Sequence, residues 1–145
     1  MKMNDNSNLQ RFVDEQSYSY EIALSEIKNG KKQSHWMWYI FPQLDGLGSS
    51  ETSKRYAIKT KDEAIAFLEH LILGKRLIEI SNELLKIKNK SANEIVGWPD
   101  DLKLKSCMTL FACIQKDKMV FQKVLNHYFD GKICLKTQKL LENYK

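Results

Sequence analysis

Apolar residues along this sequence return every three to four positions, and no stretch alternates apolar with polar side chains. That period stacks side chains on one face of an α-helix, whereas a half-buried strand needs a period of two. Leu9, Phe12 and Val13 form one such stripe behind Asn8, which can cap a short first helix. Tyr20, Ala23, Leu24 and Ile27 form the next, on a second helix from about Tyr18 to Asn29 that Gly30 stops. Thr60 and Glu63 have the spacing of a capping box ahead of Ala64, Phe67, Leu68 and Leu71, a pattern that Gly74 breaks near its end. Leu77, Ile80, Leu84 and Leu85 trace another helix, which runs into the lysine-rich link 86–90.

Ser91 with Glu94 is a second box, for a short turn that stops at Gly97. Pro99, Asp100 and Asp101 suit a helix start, with proline in the first turn and carboxylates at the positive end of the dipole. That helix carries Leu104, Cys107, Met108, Phe111 and Ile114. Val120, Val124, Leu125 and Tyr128 share a further face before a stop at Gly131, and a last helix around Leu135 to Tyr144 turns Leu140 and Leu141 inward. Start signals, stop signals and periodicity agree. The expected fold is mainly α: a compact single domain over residues 1–145, a bundle of about six to eight short helices with one Gly/Ser-rich loop, Asp45 to Ser50.

With 43% hydrophobic and 28% charged residues, a chain of 145 residues buries roughly two-thirds of its unfolded surface and needs no metal or disulfide. Two prolines and six glycines are too few for a low-complexity chain. Cys107, Cys113 and Cys134 are odd in number and lack CxxC spacing, which reads as small buried residues in a reducing compartment. The first eight residues are polar, and the longest apolar run, Trp36 to Phe41, is far short of a span. The expectation is a cytoplasmic protein with no membrane partner. His35, His70 and His127 have no metal-ligand spacing, so no metal site is expected, and the sequence leaves any cofactor unknown. The net charge of +5 is compatible with an anionic partner, but the lysines are scattered, as on a solvated face.

The segment Ser34-His35-Trp36-Met37-Trp38-Tyr39-Ile40-Phe41-Pro42-Gln43 concentrates aromatic residues far above the 10% of the whole chain. As a helical turn it puts His35, Trp38 and Tyr39 on one face and Trp36 with Ile40 on another. Such a turn packs a core and can still present one polar edge. Gly46 and Gly48 follow, then Ser49, Ser50, Thr52 and Ser53, then Lys54, Arg55 and Tyr56. Glycine lets backbone approach a ligand, and hydroxyls and a guanidinium suit a phosphate beside an aromatic ring. A dinucleotide fingerprint and a phosphate-loop lysine are both missing. Asp100 and Asp101 with Lys103 and Lys105 have the composition of an acid–base cluster, but such a run is more often a helix N-terminus with exposed charges. Ser106-Cys107 has no base nearby in sequence.

The run from His35 to Gln43, with Gly46-Leu47-Gly48-Ser49-Ser50, Ser53 and Tyr56-Ala57-Ile58, resembles the signature of a bacterial family of unknown function, domain-of-unknown-function family 1810. The resemblance extends to Asn8–Val13, to Ala23-Leu24 with Glu26-Ile27 and Gly30, and to Leu73-Gly74 with Arg76-Leu77. It ends in Asp101, Lys103-Leu104 and Ser106–Phe111, where Cys107 stands in place of a more usual serine. It implies a mainly helical fold and brings no established activity, cofactor or catalytic set. Members often carry the label calpastatin. Segments that inhibit a protease by wrapping it tend to be extended and disordered, whereas this composition builds a core.

Three functional expectations follow. The first is binding of a polar, phosphate-bearing, nucleotide-like small molecule through Lys31, His35, Trp38, Gln43, Ser49, Ser53, Arg55 and Tyr56, with Asp101 and Lys103 nearby. The second is a hydrolase or transferase on a nucleotide-type substrate, with His35 and either Asp101 or Lys103 as acid–base partners. The third is a protein- or nucleic-acid-interaction module. Its nucleic-acid form needs Trp36 and Trp38 to face water between Lys31, Lys32 and His35. Oligomeric state is not legible in the sequence.

Overall fold

The computed structural model describes residues 3–114 and 119–143, and among them nine helices and no strand occur. The first helix, α1 (Met3–Lys28), is continuous, where the sequence suggests two. Asn8 lies inside it, and its side chain is outside the described residues. Between Leu9 and Lys28 neither glycine nor proline breaks the backbone. The polar stretch 14–19 stays helical, with the Ser17 and Ser19 hydroxyls donating to the carbonyls of Asp14 and Glu15.

After α1 come α2 (Met37–Ile40), a single turn, and α3 (Glu51–Arg55). The sequence shows no helical stripe over residues 51–55, but Ser50 caps a helix there by accepting the Ser53 N–H. One parallel bridge, Leu44 to Ile58, closes the segment between: Asp45 N–H donates to the Ile58 carbonyl and Ile58 N–H to that of Gln43.

Helices α4 (Lys61–Glu69) and α5 (Leu73–Lys86) meet at a tight elbow. Thr60 caps α4, but Glu63 does not complete the expected box. Its carboxylate accepts the N–H of Lys59 and pairs with Arg11 at 3.0 Å. Gly74 belongs to α5 rather than ending the previous pattern, and the break falls at His70, whose Nδ1 accepts the N–H groups of Ile72 and Leu73. The Ser91–Glu94 box is complete on α6 (Ala92–Val96), and Gly97 ends it at φ 81°.

The bundle finishes with α7 (Asp100–Ile114), α8 (Val120–Phe129) and α9 (Leu135–Glu142). Tyr144, expected in the last helix, lies outside the described residues. Helix α7 packs on α4, α6, α8 and α9, while α1 packs on α2, α4 and α5. Between them Phe12, Phe67, Phe111 and Phe121 run as a chain of ring contacts at 5.1, 5.7 and 5.7 Å, one ring from each of α1, α4, α7 and α8. No helix among the described residues is long and apolar enough to cross a membrane.

Candidate functional site

The aromatic segment is positioned from α1. Glu26 points its carboxylate at the linker, where it accepts the N–H groups of Gln33 and Ser34, the Ser34 hydroxyl and the Trp36 indole N–H. Burial would push this carboxyl up, but those four donors outweigh it and hold the group down at about 2. Trp36 is thereby fixed in the core with Met37 and Ile40. One helical turn then leaves Trp38 and Tyr39 half-buried on the opposite side, with His35 exposed. Tyr39 donates its hydroxyl to the His35 carbonyl.

Across from this edge lies the start of α7. Lys32 extends from the α1–α2 linker with its side chain only 8% exposed and meets Asp100 at 2.9 Å. Lys103, one turn on, meets the other Asp100 oxygen at 3.1 Å and stands 4.1 Å from the centre of the Trp38 ring. One carboxylate thus serves two ammonium groups, and Lys103 keeps an aromatic face beneath it.

Two depressions open on either side of the Trp38–Lys103 pair and share both residues along with Ser50. The smaller, about 340 Å³, is completed by Lys32, His35, Tyr39, Thr52 and Asp100. The larger, about 440 Å³, lies between the loop 43–50, α7 and the start of α9. Its apolar wall is Leu47, Pro99 and Leu102; its polar lining is Gln43, Ser49, Ser106, Cys134 and Lys136. It contains no carboxylate among its lining residues, so Lys103 and Lys136 set its charge. Gly48 makes the wall thin: a Cβ there would meet the Ser53 Cβ and Oγ at 2.7 Å and Trp38 Cη2 at 3.0 Å. Gln43 is only 5% exposed, and its Nε2 has no hydrogen-bond partner. A donor left so costs about 1–3 kcal/mol.

The sequence profile of a family described as "Protein of unknown function (DUF1810)" matches residues 6–141. The chain belongs to that family. It is similar to the conserved hypothetical protein Rv1873 from Mycobacterium tuberculosis, with 43% identity and a TM-score of 0.92. The alignment covers 93% of this chain and 96% of that one. No curated protein matches it. Neither match carries the calpastatin label.

In this DUF1810 chain the structure brings His35, Trp38, Gln43, Ser49 and Lys103 to the two depressions and leaves the other expected residues outside them. Lys31 is exposed beyond the rim, and its neighbour Lys32 takes the inward position. Ser53 is buried, with its N–H on the Ser50 side chain and its hydroxyl on the Ser50 carbonyl. Arg55 lies over the Tyr56 ring, 5.7 Å from its centre. Tyr56 is packed against Phe12 and Tyr39 and donates to Glu15. Asp101 accepts the N–H of Leu102 at the start of α7, and Asp100 instead faces the depression. Trp36 is buried, so the water-facing pair of tryptophans needed for stacking on nucleic acid is not formed.

Sequence reasoning weighed Asp100 only within the acid–base cluster and did not count Lys32, Cys134 or Lys136 among the ligand-binding residues. Cys107, the thiol beside Ser106, is fully buried, and burial alone pushes it well above the ordinary thiol range. Cys134 differs: burial pushes it up, but hydrogen bonds from the Thr137 hydroxyl and from the first turn of α9 bring it below the ordinary value. No group of three or more His, Cys, Asp or Glu residues placed to hold a metal occurs among the described residues.

Proposed function

We propose that the paired depressions bind a small anionic molecule with a flat ring, of the nucleotide class. The observation that carries this reading is the Lys103 ammonium held 4.1 Å from the Trp38 ring at the junction of both depressions. A planar group lies against the Trp38 edge and the Leu47–Leu102 wall. Its anionic group meets Lys136 and Lys103, on the side of Lys103 away from Asp100, and the Ser49 and Ser50 hydroxyls supply further donors.

The test is thermal stabilisation by a metabolite panel that includes nucleotides. A ligand at a hundred times its Kd stabilises by about 2.7 kcal/mol, which raises Tm by about 8 °C for a chain of this size. Trp38→Ala and Lys103→Ala remove that rise while leaving ligand-free Tm within a few degrees, and Arg55→Ala, outside the depressions, leaves it intact. A ligand whose stabilisation is equal in all four proteins binds elsewhere.

A second reading is that the bound ligand is turned over. It is supported by His35 lining the smaller depression together with Asp100 and Lys103. Phosphate release that is lost in His35→Ala, with ligand-induced stabilisation retained, separates turnover from binding.

A further inference from the structure

Cys134 lies between α8 and α9 as the residue that caps α9, and it lines the larger depression. Its sulfur is an acceptor at the end of a hydroxyl relay. Thr137 Oγ1 donates to Cys134 Sγ at 3.2 Å, and the same oxygen is 2.7 Å from Ser106 Oγ. A hydroxyl has one proton. With the Thr137 proton spent on sulfur, Ser106 must donate to Thr137, so the relay points its protons at Sγ and favours a thiolate. The Cys134 backbone is pinned as well, its N–H donating to Thr109 Oγ1 at 2.9 Å.

The surroundings suit a charged guest. Lys136 and Lys103 line the depression, and the one carboxylate beside Lys103, Asp100, is shared with Lys32, so the lining stays net positive. An independent sign that a guest belongs there is Gln43, which lines the same depression, is 5% exposed and keeps Nε2 without a partner. Turned toward the depression, the amide would find its acceptor in an oxygen brought in by a ligand.

We propose that Cys134 is a nucleophilic thiol for a small carbon electrophile carrying a carboxylate or phosphate, seated in this depression. The thiol proton passes to solvent, and the thiolate attacks the electrophilic carbon. A carbon–sulfur bond forms as the bond to the leaving group breaks, the leaving group departing with the electron pair. Lys103, Lys136 and Gln43 hold the anionic end. The inference rests on the depression being a ligand site, the reading given above, and adds the bond-forming atom.

Iodoacetate and iodoacetamide are suitable probes because they differ in charge while delivering the same carbon electrophile with iodide as leaving group. The full chain is alkylated with each across pH, and Cys134 is followed by peptide mapping, with Cys134→Ser as blank. Relative to a free cysteine peptide, the iodoacetate-to-iodoacetamide rate ratio is expected to rise about tenfold. It falls back in Lys136→Ala. The alkylation midpoint lies at lower pH than in the free peptide and moves up in Thr137→Val, with Thr137→Ser restoring it. Ser106→Ala supplies the same test if Thr137→Val does not fold. An unreactive Cys134, or a charge ratio and midpoint equal to those of the free peptide, overturns the proposal.

No nucleotide enters this experiment, so the two readings fail separately. A retained iodoacetate preference without nucleotide stabilisation rejects only the nucleotide class. Nucleotide stabilisation without the preference rejects only the role of the thiol.

Discussion

At the scale of single residues, Glu26 shapes the candidate site without lining it. Its carboxylate gathers four donors from Gln33, Ser34 and Trp36, and those bonds fix the linker that carries His35 and leads into the turn of Trp38. Hydrogen bonds to a charged acceptor are the stronger kind, and replacing the acceptor also leaves donors poorly matched. Glu26→Gln is expected to cost about 2 kcal/mol, or about 6 °C in Tm. The pH dependence has a definite sign. The folded carboxyl is held at about 2 against an ordinary 4.5, so the unfolded chain takes up the proton first. The contribution is complete above about pH 4.5 and declines as pH falls toward 2. Urea melts of the wild type and Glu26→Gln from pH 7 to pH 2 should therefore converge over that window. A stability gap that stays constant down to pH 2 would show that the charge of Glu26 is not what matters.

At the scale of elements, the elbow between α4 and α5 turns on a close approach of two backbones. A Cβ on Gly74 would stand 1.9 Å from the Leu68 carbonyl oxygen, a backbone atom that cannot rotate aside. Gly74→Ala must push the helices apart, at a cost of about 3 kcal/mol or more. A denaturant melt checks this, and an unchanged midpoint would mean that the elbow relaxes freely. Here local sequence had only part of the answer. Gly74 reads as a breaker, yet the glycine is required by what it touches, and the stop lies at His70. The boxes show the same limit. Ser91–Glu94 closes, with no ion pair to Glu94 among the described residues, whereas Glu63 is drawn to Arg11 on α1, fifty-two positions away. Helix α3 escaped detection because it buries only Ser53 and has no apolar stripe to read. The candidate site divides in the same way. His35, Trp38, Gln43 and Ser49 lie in one stretch whose composition marks it. Cys134 and Lys136 stand more than eighty positions further along, and only the packing of α9 against α7 brings them to the same depression.

At the scale of the whole molecule, the question is whether these helices unfold together. The rings of Phe12, Phe67, Phe111 and Phe121 bind α1, α4, α7 and α8 into one chain of contacts. Three of the four fall on stripes visible in the sequence. Phe121 does not, because Val120 and Tyr128 offered a competing face, and the structure buries Phe121 with Val124 and Leu125 instead. Ion pairs add ties between distant segments, Arg11 to Glu63 and Lys32 to Asp100. A chain of ring contacts from the first helix to the eighth leaves no obvious plane along which half of the core separates while the other half stays buried. We therefore expect the single domain suggested by length and composition to melt in one transition. Its calorimetric enthalpy near 60 °C should be about 100 kcal/mol at about 0.7 kcal/mol per residue, equal to the van't Hoff value. Phe67→Ala, which removes the second ring of the chain, should lower stability by about 3–5 kcal/mol and keep the transition single. Two resolved transitions, or a van't Hoff enthalpy well below the calorimetric one, would divide the bundle. The mutant would then tell which part holds the ring, because only that part would melt earlier.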